Sequence, residues 1–209
     1  MTHEAGRFPC VLLAGGQSRR MGGGAKFLQT LGGKTLLSRI IQTLNPQISD
    51  LVLNMNVDRD EAADLNIPII KDSIRGFAGP LAGILTGLEY FNDRSNLASH
   101  MLSVPTDAPF IPDNLVARLA AGLKGSKKTI VMAQSVGRVH PVVGLWPMSL
   151  AADLRAALVE EDLRKILVFA DRYPRVEVVW EDNEGDPFFN INRPEDLAEA
   201  EQRFSSKNV

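Results

Sequence analysis

Apolar and polar positions along the chain switch repeatedly between two periods. Phe8 to Ala14 is a short run of apolar and small residues, which predicts a strand buried on both faces. Lys34 to Leu44 places Leu36, Leu37, Ile40, Ile41 and Leu44 on one side of a helix. Leu51 to Met55 and Ile67 to Ile70 read as two more strands. Gly79-Pro80 opens a helix with Leu81, Ile84, Leu85 and Leu88 inward, proline taking the first turn where its missing N–H costs nothing. Met101 to Val104 is a further strand, and a proline-rich loop leads from it to Asp113, the expected cap of a helix carrying Leu115, Val116, Leu119 and Leu123. Strands are expected at Thr129 to Ala133, Val142 to Trp146 and Val176 to Trp180. Helices are expected at about Leu150 to Leu158, Leu163 to Ala170 and Pro194 to Phe204. Strand and helix alternating in this way predict a Rossmann-like three-layer α/β/α fold whose central sheet is open and mostly parallel. Ligands in such folds bind beyond the carboxyl ends of the strands, so the chemistry is expected there.

Length and charge narrow the picture. The 209 residues suit a single domain with a core that needs no covalent staple. It divides at about residue 110 into a first half (about 8–110) and a second half (about 111–204). The 23 basic and 25 acidic side chains nearly cancel, to a net charge of -2, and give no overall reason to expect nucleic acid or an anionic membrane as partner. The lone Cys10 can neither pair internally nor build a zinc site, as expected of a reducing, cytoplasmic setting. The longest stretch free of Asp, Glu, Lys and Arg, Val139 to Ala152, holds two prolines and is shorter than the ~20 residues a spanning helix needs. Met1-Thr2-His3-Glu4 does not read as an export leader.

The charge is nevertheless uneven. Between Ala5 and Ser49 there is no acid, while Arg7, Arg19, Arg20, Lys26, Lys34 and Arg39 are present. Glu181 to Gln202 holds eight acids against Arg193 and reads as a solvated helix face. The basic region contains Gly15, Gly16, Gly22, Gly23 and Gly24 directly after the first strand. With no side chains in the way, backbone N–H groups there can close on an anion, and Arg19, Arg20 and Lys26 add fixed positive charge. The loop is neither of two common phosphate motifs. Gly33-Lys34-Thr35 has the ending of a Walker loop, but Leu28 stands where its first glycine belongs, and no three glycines have the spacing of the dinucleotide fingerprint. That spacing excludes a dinucleotide-dependent oxidoreductase. No Ser/His/Asp or Cys/His set is evident along the chain, so nucleophilic hydrolysis finds no support.

Leu13-Ala14-Gly15-Gly16-x-Ser18-x-Arg20-Met21-Gly22, with Lys26 shortly after, resembles the signature of the GT-A-like nucleotidyltransferases. Asn54, Asp72, Gly79-Pro80-Leu81-Ala82-Gly83, Pro105-Thr106-Asp107-Ala108-Pro109-Phe110 and Asn190-Ile191-Asn192-Arg193-Pro194 follow in order. Across about residues 8 to 204 the chain is more narrowly similar to the molybdenum cofactor guanylyltransferases. One departure is Ala25, where relatives commonly carry an acid or amide before the loop lysine.

The resemblance implies transfer of GMP from GTP to the phosphate of molybdopterin, with release of pyrophosphate and handover to molybdoenzymes or other cofactor-biosynthesis proteins. It implies Arg20, Lys26 and Asp107 as catalytic residues and Mg2+ held by Asp107. That carboxylate is presented stiffly between Pro105 and Pro109, and magnesium favours few protein carboxylates. It further implies a nucleotide site of Leu13, Ala14, Gly15, Gly16, Lys26, Asn54, Asp72, Gly79 and Asp107. Asp72 and Asn54, read alone, are equally good turn formers. The acceptor would lie near His140, Asn190 and Asn192. His140 reads as a structural or acceptor-contact residue, and helix capping accounts for one of the two asparagines. Alternatives are a CTP-dependent molybdopterin cytidylyltransferase, a nucleotidyltransferase for a sugar or polyol phosphate, and a non-catalytic nucleotide-binding or handover protein. The last has no use for a metal ligand.

Overall fold

The computed structural model describes residues 7–14, 26–56, 66–74, 76, 79–94, 98–182 and 185–207. Seven strands form one sheet in the order β5-β4-β1-β6-β8-β7-β9. They are β1 (Pro9–Leu13), β4 (Asp50–Asn54), β5 (Ile69–Ile70), β6 (His100–Pro105), β7 (Ile130–Ser135), β8 (Arg138–Pro147) and β9 (Arg175–Trp180). Two further strands, β2 (Thr30–Leu31) and β3 (Lys34–Thr35), make a small separate hairpin. The pairs β4–β5, β1–β4, β1–β6 and β7–β9 are parallel, while β8 is antiparallel to both β6 and β7. Thus β8 alone runs against the sheet, and its amino end lies at the edge where its neighbours end.

Side-chain alternation along β1 assigns the two faces. Cys10 and Leu12 join the core with α1 (Leu36–Leu44) and α3 (Leu115–Gly122). Val11 and Leu13 join the other, with α2 (Pro80–Asp93), α4 (Ala151–Glu160) and α5 (Ile166–Ala170). The expected three-layer α/β/α arrangement with a mostly parallel sheet is therefore the observed one. The last helix, α6 (Pro194–Lys207), packs on neither main core. Leu197, Ala200 and Phe204 cover Leu31 and Leu36, carrying the end of the chain back to the β2–β3 hairpin. Among the described residues no helix is long and apolar enough to cross a membrane.

Several local expectations shift. The helix expected from Lys34 starts at Leu36, because Lys34 and Thr35 pair across the hairpin and the Thr35 hydroxyl accepts from Ser38 N–H as the cap. Asp113 does not cap α3. It is exposed in the turn before it, and the Gln47 side chain accepts the Val116 N–H instead, at 3.0 Å. The strand expected at Val142 begins at Arg138, because the chain reverses through Val136 (φ 50°) and Gly137 (φ 68°) with Ser135 paired to Arg138. Two residues at positive φ make the tight hairpin whose twist suits the strands. At Gly144, beside the register shift where residues 141–143 of β8 have no partner in β7, an added Cβ meets the Val131 carbonyl oxygen at 2.5 Å, so the approach of the two strands needs glycine.

Candidate active site

The carboxyl ends of β1, β4, β5 and β6, the amino end of β8, and the segment entering α6 border a cleft of about 1200 Å³. Leu13, Ala14, Asn54, Asp72, Gly79 and Pro80 line one end, and His140, Phe188, Phe189 and Asn190 belong to the other. Asp107 and Asn192 also line it. Every sequence-predicted site residue within the described residues is therefore at this edge. Lys26 reaches it through its contacts with Asp107 and Asn192. Gly15, Gly16 and Arg20, and with them the amide cradle and Ala25, lie outside the described residues.

Lys26 sits on a single 3-10 turn, Lys26–Leu28, fixed by buried Phe27. Its Nζ donates to Asp107 Oδ2 at 2.9 Å and to Asn192 Oδ1 at 2.7 Å. The Asp107 backbone carbonyl accepts Ile191 N–H at 2.9 Å, which ties the α6 approach to the loop after β6. The other carboxylate oxygen, Asp107 Oδ1, is buried and has no hydrogen-bond partner among the described residues. An ionised oxygen left in that condition is costly unless something binds it. Among the described residues no group of three or more His, Cys, Asp or Glu side chains could hold a metal. One carboxylate with a bare oxygen is a donor set that suits magnesium, which keeps waters and phosphate oxygens as its other ligands.

At the other wall, Asn54 is almost fully buried and donates to Asp72 Oδ1 at 2.9 Å. Asn56 donates to Asp72 Oδ2 at 2.7 Å and accepts the Asp72 N–H at 2.9 Å. Asp72 is thus clamped on both oxygens, a role for Asn56 that the sequence did not single out. The signal was there: residues 54 and 56 share one side of a chain extended past a strand end. Gly83 on α2 lets the helix approach this clamp, since an added Cβ falls within contact of Asn54 Oδ1 and 2.6 Å from Leu13 Cδ2. Gly83→Ala should displace Asn54 and weaken nucleoside-triphosphate binding by about tenfold, at a stability cost of about 1–3 kcal/mol from overpacking. Calorimetric titration and thermal unfolding of the same preparation check both.

Neither asparagine before α6 is the cap. Asp196 Oδ2 accepts the N–H groups of Asn192 and Arg193 at 2.7 and 2.8 Å. That leaves Asn192 free to hold Lys26 and Asn190 free to line the cleft. The structure also brings the distant Asp186 to Ser135 and His140, which face each other across the β7–β8 hairpin. The Ser135 hydroxyl donates to Asp186 Oδ1 at 2.6 Å and lies 2.7 Å from His140 Nε2. Burial pushes the His140 imidazole below its ordinary pKa. Asp186 pulls it up, Arg138 pulls it down, and the Ser135 backbone adds a smaller upward pull.

The mostly parallel sheet thus opens its carboxyl edge on this cleft, with Lys26 braced on Asp107 at one point and Asp72 clamped by two asparagines at another. The chain belongs to the MobA-like NTP transferase domain family, whose model matches residues 10–176. It is 48% identical over 193 residues to a molybdenum cofactor guanylyltransferase of Rhodopseudomonas palustris (strain HaA2), covering 92% of this chain and 90% of that one. It is also 48% identical over 194 residues to one of Bradyrhizobium sp. (strain ORS 278), with 93% and 92% covered. The fold is similar to the crystal structure of molybdopterin-guanine dinucleotide biosynthesis protein A from Archaeoglobus fulgidus, with a TM-score of 0.74 and 25% identity over 95% of this chain and 100% of that one.

Proposed function

We propose that this enzyme transfers GMP from GTP to the phosphate of molybdopterin, forming the guanine dinucleotide cofactor and releasing pyrophosphate. The observation that carries the reading is the junction of Lys26, Asp107 and Asn192, which joins the strand-end nucleotide wall to the acceptor side. The names of the relatives supply the substrates, and they favour GTP over the CTP alternative. An oxygen of the acceptor phosphate attacks the α-phosphorus, a P–O bond forms, and the bond to the bridging oxygen of the departing pyrophosphate breaks. A phosphate dianion needs no general base to do this, so the protein's task is alignment and charge neutralisation.

In this reading Lys26 neutralises the β- and γ-phosphates, together with Arg20 and the amides of Gly15 and Gly16. Nucleotidyltransferases of this kind typically use a divalent metal, and Asp107 is the residue that would hold it here, as Mg2+. When bound, such an ion would supply positive charge against the triphosphate and the departing pyrophosphate. Leu13, Ala14, Asn54, Asp72 and Gly79 surround the guanosine. The Asp72 carboxylate suits the two adjacent N–H donors of guanine, N1–H and the exocyclic amine, whereas cytosine offers only its amine beside an acceptor nitrogen. His140, Asn190 and Asn192 face the acceptor, so that residues of about 8–110 serve the nucleotide and those of about 111–204 the acceptor within one domain. A cytoplasmic location completes the reading, consistent with the buried, unpaired Cys10.

The test is incubation of the purified protein with molybdopterin, Mg2+ and each of the four triphosphates in turn, with pyrophosphate measured. GTP is expected to exceed CTP by at least about 100-fold, because a site built around specific hydrogen bonds leaves its polar groups unpaired with the wrong base. Equal or greater turnover of CTP, or no pyrophosphate with any triphosphate, overturns the assignment.

A further inference from the structure

Proton bookkeeping at Ser135 constrains a residue the reaction itself leaves loosely defined. Ser135 ends β7 and is fully buried. A hydroxyl has one proton to give, and Ser135 gives it to Asp186 Oδ1 at 2.6 Å. Its 2.7 Å contact with His140 Nε2 is therefore one in which the serine oxygen accepts, so Nε2 carries hydrogen. The imidazole is desolvated, which favours its neutral form over the pull of Asp186; the other charged group facing it is Arg138. A neutral ring with hydrogen on Nε2 has a bare lone pair on Nδ1. Among the described residues no hydrogen-bond donor reaches Nδ1, and His140 lines the cleft. The order Asp–Ser–His is also wrong for a nucleophilic triad, because the serine proton already belongs to the carboxylate and the hydroxyl is out of reach of substrate.

The surroundings suit one kind of ligand. The ring of Phe188 lies 4.9 Å from that of His140 and is braced edge-on by Trp180 at 5.2 Å. Val139 and Val142 add apolar wall. Asp186 is held in turn by Phe188 N–H at 2.9 Å, which locks the carboxylate, the serine and the aromatic wall into one unit. A lone pair with a carboxylate behind it repels a phosphate; Arg138 beside the ring is paired with that carboxylate at 3.7 Å, and anionic groups have Lys26 and Arg193 elsewhere on the cleft. A flat heterocycle with an N–H at its edge satisfies both the apolar wall and the lone pair.

We infer that His140 Nδ1 accepts a hydrogen bond from a ring or exocyclic N–H of the acceptor's pterin, and that Ser135 and Asp186 are positioning residues that hold His140 in the tautomer able to do so. This rests on the proposed reading, since it takes the acceptor to be a pterin. The probes are a 6-alkyl pterin monophosphate and its analogues methylated at N3 and on the exocyclic amine, titrated into the protein in the presence of GTP. At least one methylated analogue is expected to bind about tenfold more weakly than the parent, because a blocked donor leaves the buried lone pair unpaired. His140→Phe and Ser135→Ala should both erase most of that difference, whereas Ser135→Thr, which keeps the hydroxyl, should retain it. In the unsubstituted protein, two-bond 1H–15N spectra of the histidine rings should show His140 as the neutral Nε2–H tautomer, and that form should give way to a mixture in Ser135→Ala. Equal binding of all three pterins, or a wild-type His140 that is Nδ1-protonated or cationic at neutral pH, overturns the inference. Neither result alters GMP transfer to molybdopterin itself. Loss of that transfer, with the tautomer intact, sinks the proposed function instead.

Discussion

Asp107→Asn is expected to lower GTP-dependent pyrophosphate release by about 1000-fold, equivalent to about 4 kcal/mol of transition-state stabilisation, while leaving the fold intact. The asymmetry follows from how the residue is held. Its backbone carbonyl accepts Ile191 N–H, a bond the substitution does not touch. Its side chain is about four-fifths covered, as is that of Lys26, with which it makes an ion pair. Asparagine fills the same space and keeps an oxygen for the Lys26 ammonium, so the pair is weakened rather than vacated, and the buried, unpartnered Oδ1 offsets part of what the pair contributes. An amide at the same place keeps the shape but withdraws the negative charge and points either a hydrogen or a weak neutral oxygen at the cation. Pyrophosphate release and thermal unfolding, measured on one preparation, separate the two effects. Turnover within about tenfold of wild type removes Asp107 from the role of metal ligand, since loss of even one preorganised electrostatic contact costs more than that.

Legibility from sequence followed the range of the interactions. β1, β4 and α2 announce themselves, because burial on both faces or on one helical side writes a period into consecutive residues. The β2–β3 hairpin left no such mark. Its strands are two residues long, and Lys34-Thr35 continues the helical pattern of α1 well enough to be absorbed by it. The residue types at the site were legible too: Lys26, Asp107, Asn54, Asp72 and Asn192 were all expected near the substrate. Their mutual contacts were not, since Lys26 and Asn192 are 166 positions apart and meet only because α6 returns to the hairpin. Asp186 illustrates the cost of reading charge locally. Within an acidic stretch it looks solvated, yet its carboxylate is largely buried against Ser135 and Phe188, which come from the other side of the sheet edge or from the turn itself. The same holds for Asp196, one of two first-turn carboxylates with Glu195, whose capping role is hidden until the backbone N–H groups it accepts are known.

Lys26→Ala should move two affinities in opposite directions. For GTP the dissociation constant is expected to rise by about 10–100-fold, because the ammonium group's charge-assisted hydrogen bonds to phosphate, worth about 1.5–3 kcal/mol, have no replacement. For a divalent cation in the absence of nucleotide, measured with Mn2+ as the probe, affinity is expected to increase. In the free protein Lys26 Nζ lies 2.9 Å from Asp107 Oδ2, so a cation arriving at that carboxylate competes with a positive charge already there, and removing the lysine removes the competitor. Lys26→Arg should not rescue the GTP defect. The ammonium bridges two acceptors, Asp107 and Asn192, from one compact centre, and a planar guanidinium carried further out on a longer side chain cannot occupy that point without displacing one of them. Opposite signs exclude simple unfolding, which weakens both. If the two affinities instead fall together in a variant that melts normally, Lys26 braces the site without touching the triphosphate. An unchanged GTP affinity removes it from the nucleotide site altogether.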